Sequence, residues 1–313
     1  MRCKICGSRL KIWYKKLFDD RHGYPGYFDV LKCTNCGFAQ TKPQIKENSI
    51  KKLYKDFYPR KNLDLKNIKI QDFKENNRFK FWRKGLFINC HYLVKPKSDV
   101  LDVGSGVGYS LLWLENQGNS AYGIDPDANA LTVAKKFKLN FHLGFIDDHP
   151  FGNKKFDYIT GSQVIEHTGN PIKFLGLCKQ RLKPNGKIIL SFPNTDSLTR
   201  RILGKDWLHW HIPFHLSHFN KKSIYLLAQS AGLTVKSIKT VTPNIWIILQ
   251  IRKLLLKPKM GKRDMFWDGG QENKKIANSP IKKLLFLLEE YNFINIIVDA
   301  IGLGDSFVVT LTD

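Results

Sequence analysis

The sequence predicts an α/β protein with a doubly wound, mostly parallel sheet, a small N-terminal module and a helical insertion near the C-terminus. Three observations carry this. Short apolar runs alternate with helical stretches from Asp99 to Phe192. A glycine-rich turn, Gly104-Ser105-Gly106-Val107-Gly108, joins the first of these runs to the first helix. Two knuckles of the form C-x-x-C-G stand at Cys3–Gly7 and Cys33–Gly37. The composition shifts divide the chain into 1–42 (cysteine module), 43–95 (helical connector), 96–243 (core), 244–304 (helical insertion or cap) and 305–313 (last core strand).

The cysteines come first. Cys3 and Cys6 form one pair and Cys33 and Cys36 the other, each followed by Gly. Two thiolates at such a turn bind one metal ion, and two turns supply the four sulfurs of a closed tetrahedral Zn2+ site. The alternatives, a redox pair or two disulfides, fit a doubled knuckle less well. A fully ligated ion is structural, holding together about 40 residues with too small a core of their own. Between the knuckles, alternating residues and the turn Gly23-Tyr24-Pro25-Gly26 predict a hairpin. Cys90 and Cys178 are isolated and read as small core residues. Residues 43–95 are rich in Lys and Asn with aromatics at intervals, and from Asp72 to Leu93 the apolar spacing is helical.

The core opens with a buried strand, Asp99 to Val103, then the glycine turn and a helix from Tyr109 to Asn116. The third glycine, Gly108, comes one residue too early for a dinucleotide fingerprint, and no Gly-Lys-Ser/Thr follows, which excludes a P-loop. Asp102 at the strand end would repel a pyrophosphate and suit a cationic or hydroxyl-bearing ligand. The next strand, Ser120 to Ile124, ends in Asp125, placed to accept both hydroxyls of a ribose. A third strand, Asn140 to Leu143, leads to Ile146-Asp147-Asp148. A fourth, Phe156 to Thr160, precedes Gln163-Val164-Ile165-Glu166-His167. Gly161, Gly169 and the stretch Lys183-Pro184-Asn185-Gly186 read as turns, before a fifth strand from Lys187 to Phe192. A helix from Lys222 to Ala231 and a strand from Leu233 to Val241 follow, and Ser306 to Leu311 is the last strand.

Taken together, residues 96–242 resemble the class I S-adenosylmethionine-dependent methyltransferases. The likeness rests on Asp102-Val103-Gly104-Ser105-Gly106-Val107-Gly108, Gly123-Ile124-Asp125, Phe156-Asp157-Tyr158-Ile159, Glu166-His167 and Leu182-Lys183-Pro184-Asn185-Gly186. Ser191-Phe192-Pro193-Asn194 and Pro213-Phe214-His215-Leu216 are similar to the subgroup of ubiquinone-pathway and surface-polysaccharide methyltransferases, several of which carry a cysteine-knuckle module. The resemblance implies a seven-stranded sheet with the last strand antiparallel between strands five and six. It implies that Gly104, Ser105, Gly106 and Gly108 cradle the methionine part of S-adenosylmethionine, with Asp102 near its amino group. Asp125 would take the ribose, and Ile146 and Asp147 would flank the adenine. Gln163 would lie near the methionine carboxylate or sulfonium. Many relatives have Gly-Asp where this chain has Gly144-Phe145, so the adenine-amino acceptor is Asp147, Asp148 or a backbone carbonyl.

A methyl donor leaves the protein two tasks: to orient a nucleophile and to remove its proton. Histidine suits the second near neutral pH. The candidates are His167, His211, His215 and His218, with His167 or His211 preferred. The histidines of 209–218 read as pocket-shaping rather than metal-ligating, because no carboxylate or cysteine of suitable spacing accompanies them. No Asn-Pro-Pro-Tyr follows the fourth strand, so exocyclic-amine chemistry is disfavoured by analogy and O-methylation leads.

The chain has 313 residues and a net charge of +24, from 51 Lys+Arg against 27 Asp+Glu. At 42% hydrophobic it is not wholly disordered. No apolar run approaches the ~20 residues of a membrane span, and no secretory leader is legible at Met1, so the expected location is cytoplasmic. The positive excess is Lys-rich and spread out, as on a solvated surface. Ile245 to Lys257 and Ile281 to Ile301 are apolar with basic residues; they read as a helical cap or as a peripheral membrane or lipid-substrate platform. The expected acceptor is thus a small molecule, saccharide or lipid-linked intermediate. An RNA methyltransferase using the zinc module and a non-catalytic cofactor-binding protein are the alternatives, nucleic acid being the weaker partner.

Overall fold

The structure is a computed structural model that describes residues 1–45, 53, 56–57, 90–263 and 293–313. The helices expected before residue 90 and most of Ile281 to Ile301 lie outside the described residues.

The N-terminal hairpin pairs β1 (Leu10–Leu17) with β2 (Phe28–Cys33), and β3 (Ala39–Lys42) adds antiparallel to β2. The turn between β1 and β2 is built on Asp19, which is fully buried and accepts from the amides of Arg21, His22 and Tyr24 at 2.8–3.0 Å. Buried Asp carboxylates that gather successive amides fix a loop in one conformation. Here they aim Arg21 and His22 into the body of the protein.

Next come β4 (Asp99–Val103), α1 (Tyr109–Asn116), β5 (Ser120–Asp125), α2 (Ala128–Phe137), β6 (Asn140–Leu143) and β7 (Phe156–Ser162). They are followed by α3 (Pro171–Gln180), β8 (Leu182–Pro193), α4 (Leu198–Leu203), β9 (Ser217–His218), α5 (Lys221–Ser230) and β10 (Thr234–Val241). The last described elements are α6 (Asn244–Leu256), α7 (Phe293–Ala300) and β11 (Ser306–Thr312). Seven strands form one sheet in the order β10-β11-β8-β7-β4-β5-β6, with β11 antiparallel to both neighbours. This is the class I methyltransferase arrangement the resemblance implied. Leu101, Ile159 and Ile188 are completely buried, as strands covered by helices on both faces require. The strand order reverses at β4, which opens a crevice at the carboxyl ends of the strands.

Two local expectations change. The Lys183–Gly186 turn lies within β8, because Phe156 pairs with Leu182 before a register shift and Tyr158 pairs with Lys187 after it. Gly161 is not a turn residue; it sits inside β7, where an added Cβ would lie 3.1 Å from Leu190. Asp157 is structural, accepting from the Asp99 amide at 2.8 Å and pairing with Lys183 at 2.9 Å.

The four-stranded N-terminal sheet has the order β1-β2-β3-β9, so its edge strand comes from the core. Trp207, Trp210 and Ile212 pack with Leu17, Phe28 and Val30 in one buried cluster. A buried ion triad adds to this seam: Asp20 lies 2.5 Å from Lys253 of α6 and 3.2 Å from Arg21. Burial alone would raise the Asp20 carboxyl, but Lys253 and Arg21 outweigh it and hold it below the usual range. A carboxylate depressed on folding stabilises above its unfolded pKa, and that stabilisation is lost as pH falls through the folded value. Lys253→Met should therefore cost about 3 kcal/mol of unfolding free energy at pH 7. In denaturant titrations the deficit should shrink below about pH 4; a deficit that is absent at pH 7 would refute the triad's role.

Candidate active site

The glycine bend wraps the end of β5. Gly104 and Ser105 both donate their amides to the Ile124 carbonyl, at 2.7 and 3.1 Å. Gly104 has φ +72°, and a Cβ there would meet Val164 Cγ2 at 2.3 Å, so both conformation and space demand glycine. Gly106 donates its amide to Asp125 Oδ2 at 2.7 Å, and Asp127 donates to Oδ1 at 2.9 Å. A carboxylate has about four acceptor positions. These two amides orient the Asp125 carboxylate, which lines the cavity.

Beside this bend lies a cavity of about 500 Å³, in the size range of cofactor sites. It brings together Gly104, Asp125, Ile146, Asp147, Gln163, His167 and His211 of the residues expected from sequence. Ser105, Gly106 and Gly108 shape the bend behind its wall. Asp102 is not a wall. It is enclosed in the core, where it accepts from His91 Nε2 at 2.8 Å, Ser110 at 2.5 Å and Thr160 at 2.7 Å. Burial would lower the His91 imidazole, but Asp102 overrides it and holds it well above its ordinary value. The Asp102 charge is therefore met inside the protein by His91, Ser110 and Thr160.

Past β6, Ile146 is buried, and Asp147 forms a half-exposed ion pair with Lys173 at 3.1 Å. Asp148 accepts from the Phe145 amide at 2.7 Å and lies 3.2 Å from His142. Gln163, just past β7, has φ +58°, an uncommon conformation for a side chain of its size and one concentrated at functional sites. Its amide donates to the Ser191 carbonyl at 2.7 Å and its side chain to Ser191 Oγ at 3.3 Å.

The far wall is histidine-rich. His167 Nδ1 donates to the Phe214 carbonyl at 3.1 Å, and His215 Nδ1 to the His209 carbonyl at 2.8 Å. Carbonyls only accept, so in each neutral ring Nε2 is the basic nitrogen. His211 Nδ1 then donates to His215 Nε2 at 3.3 Å. Burial, reinforced by the positive charge of Arg21, holds His211 well below the usual imidazole range; burial and its histidine neighbours do the same to His215. Burial likewise takes His209 and His218 down to about 3. Glu166 is buried behind these rings, and burial pushes its carboxyl up to about 8. Arg21 and Trp246 close the wall, with His209 and Trp246 rings 4.9 Å apart.

This geometry can be set beside known proteins. A family model described as a methyltransferase domain matches residues 75–238, just over half of the chain. The chain belongs to this methyltransferase-domain family. It is 31% identical over 171 residues to a tRNA U34 carboxymethyltransferase of Nautilia profundicola, covering 42% of this chain and 57% of the relative. It is 25% identical over 146 residues to a ubiquinone biosynthesis O-methyltransferase of Cereibacter sphaeroides, covering 43% of this chain and 59% of the relative. The chain thus spans less than two thirds of those two curated relatives. Among solved structures, an S-adenosylmethionine-dependent methyltransferase of Archaeoglobus fulgidus is 17% identical, with TM-score 0.46, 78% of this chain and 95% of that chain covered.

Outside the matched methyltransferase domain, the four cysteines converge. Cys3 Sγ lies 3.6 Å from Cys36 Sγ, and Cys6 Sγ 3.5 Å from Cys33 Sγ, with all four sulfurs within 4.8 Å of one another. Metal–sulfur bonds of about 2.3 Å in a tetrahedron put sulfurs about 3.8 Å apart. The donors fit zinc, and the separations are too long for disulfides.

Sequence reading missed Glu166 and Arg21 as parts of the site. Their only signals were adjacency to His167 and the polar run Asp19-Asp20-Arg21-His22 in an otherwise alternating hairpin. Asp125→Ala should weaken S-adenosylmethionine binding at least ten-fold, since charge-assisted hydrogen bonds to a diol amount to about 1.5–3 kcal/mol. Calorimetry showing an unchanged affinity would refute the ribose contact.

Proposed function

We propose that this chain binds S-adenosylmethionine along the cavity and directs its methyl group to a hydroxyl of a small-molecule, saccharide or lipid-linked acceptor. The supporting observation is continuity: one cavity carries Gly104 and Asp125 at one end and His167 and His211 at the other. S-adenosylmethionine, when bound, supplies an electrophilic methyl on a sulfonium. Asp125, fixed by the Gly106 and Asp127 amides, holds the ribose diol. Ile146 flanks the adenine, and Asp147 accepts from its amino group, Asp148 being committed to the Phe145 amide. Gln163 faces the methionine end.

The proton of the acceptor hydroxyl goes to a histidine Nε2, of His167 or His211. Because burial keeps His211 uncharged, it is already in its accepting form at neutral pH. A lipid-linked acceptor is favoured by α6, which places Trp246 in the cavity wall and leaves Leu254 and Leu255 nearly half exposed further along. Such an acceptor sets the chain at work in the cytoplasm, at the inner face of the membrane. No helix among the described residues is long and apolar enough to cross one. The four cysteines hold a structural zinc ion that fixes the β1-β2-β3 sheet.

The second reading, an RNA acceptor, draws on the +24 charge and the tRNA-modifying relative. Two measurements decide. Calorimetry should show one saturable S-adenosylmethionine site; no binding would end both readings. Incubating a cell extract with isotopically labelled cofactor should then place label on a saccharide or lipid fraction, and label on RNA would overturn the first reading. His211→Gln should lower kcat about 100-fold or more with cofactor affinity unchanged if that ring is the base. Cys33→Ser should release the zinc and loosen residues 1–40 while S-adenosylmethionine still binds; retention of full zinc would exclude the four-sulfur site.

A further inference from the structure

Glu166 poses a problem that methyl transfer does not solve. It is 1% exposed, and neither carboxylate oxygen has a hydrogen-bond partner among the described residues. A buried carboxyl group with nothing to bond is costly and calls for a physical reason. Two imidazoles stand beside it: one ligand atom each from Glu166, His167 and His215 lies within 4.8 Å of the others. The turn Ile165–His167 carries the first two, and the Leu216 amide, donating to the Glu166 carbonyl at 2.8 Å, sets the third alongside.

The histidines are prepared as ligands. A metal-binding histidine almost always donates its other ring N–H to a carbonyl or carboxylate, which fixes ring and tautomer. His167 does so to the Phe214 carbonyl and His215 to the His209 carbonyl. Both Nε2 atoms are thereby left as the electron-pair donors. His167 and His215 also line the cavity, so an ion between them would keep positions open toward it.

We infer that Glu166, His167 and His215 form a second metal site, distinct from the four cysteines, for a divalent transition ion at the acceptor end of the cavity. Two imidazoles and one carboxylate suit Zn2+, Fe2+, Co2+ or Mn2+ rather than Mg2+ or Ca2+, which prefer all-oxygen sets. On binding, the ion takes the His215 Nε2 electron pair that the His211 N–H now reaches; that N–H stays on His211, and Glu166 binds as the carboxylate, its proton leaving to solvent. Ion binding stands independently of the proposed methyl transfer; with His167 Nε2 held by the ion, the base of that reading is His211. The ion's role, to hold and polarise an acceptor oxygen, rests on that reading.

Sequence spacing concealed the site. The carboxylate and one histidine come from the turn after β7, the other histidine from the approach to β9, nearly fifty residues on.

The probe is Co2+ alone, added to the full chain with its cysteine site already filled with zinc. The expected result is one further Co2+ per chain, with a visible spectrum free of thiolate charge-transfer bands. Glu166→Gln, which preserves size, should weaken that ion about ten-fold or more, and so should His215→Gln. Cys33→Ser should leave it in place. The proposal falls if zinc-filled wild-type protein takes up no second Co2+, if the second ion shows thiolate bands, or if Glu166→Gln binds it as tightly as wild type. Because the wild-type stoichiometry and spectrum decide by themselves, a variant that fails to fold does not protect the idea. Calorimetry with S-adenosylmethionine tests the methyl-transfer reading separately.

Discussion

A short piece of antiparallel pairing holds the functional half of this molecule in place. β3, from the cysteine module, pairs Ala39 with His218 and Gln40 with Ser217. Thr41 donates its amide to the Leu216 carbonyl at 3.1 Å and its hydroxyl to the His215 carbonyl at 2.6 Å. Leu216 in turn donates to Glu166, so three segments distant in sequence share one run of backbone bonds. Each such bond contributes only about 1 kcal/mol net. Their consequence is positional: the histidine wall has only single 3-10 turns, Ile165–His167 and Leu208–Trp210, and β9, which is two residues long. Without β3 as a template, the 209–218 segment would have no fixed register. The cysteine module therefore braces one wall of the cavity, and it also supplies Arg21 to its lining.

The cavity is electrically lopsided. One end presents Asp125, Asp147 and Asp148, suited to hydroxyl and amino donors. The other presents imidazoles that burial keeps uncharged, with Arg21 as a nearby cation. The Arg21 charge is partly spent on Asp20, which also binds Lys253 of α6. That triad couples the module's turn to the helix bearing Trp246. The residues that close the cavity are thus tied to those that shape its histidine wall.

What could be read from sequence was local. A strand ending in alternate glycines before a helix is written in ten consecutive residues, Asp99 to Gly108, and Asp125 follows from the end of the next strand. The doubled C-x-x-C-G is equally self-contained. Long-range partners were not legible. Asp102 looked like a ligand contact because its motif does not reveal that His91 would meet its carboxylate in the core. Glu166 looked like part of a family signature because its surroundings come from the 209–218 segment. The Lys183–Gly186 turn looked like a strand boundary because pairing of Phe156 with Leu182, which carries β8 back past it, depends on a neighbour in space.

Three of the local costs in this structure meet at the cavity. Gln163 and His211 hold positive φ, and Glu166 buries a carboxyl with no hydrogen bond among the described residues. Strain of this kind runs to about 1–3 kcal/mol per residue, and an unsatisfied buried polar group costs about as much. A chain selected for stability alone could remove each with a single substitution, such as glycine at the two turns or an apolar residue at 166. His211 and Glu166 belong to the histidine end, and Gln163 stands next to Val164, which packs on Gly104. Their clustering is what a site built to receive a ligand produces, because groups arranged for an incoming partner are badly satisfied until it arrives. The glycine bend carries a cost of its own, the buried Ser105 hydroxyl that has no partner among the described residues, so groups held ready stand at both ends of the cavity.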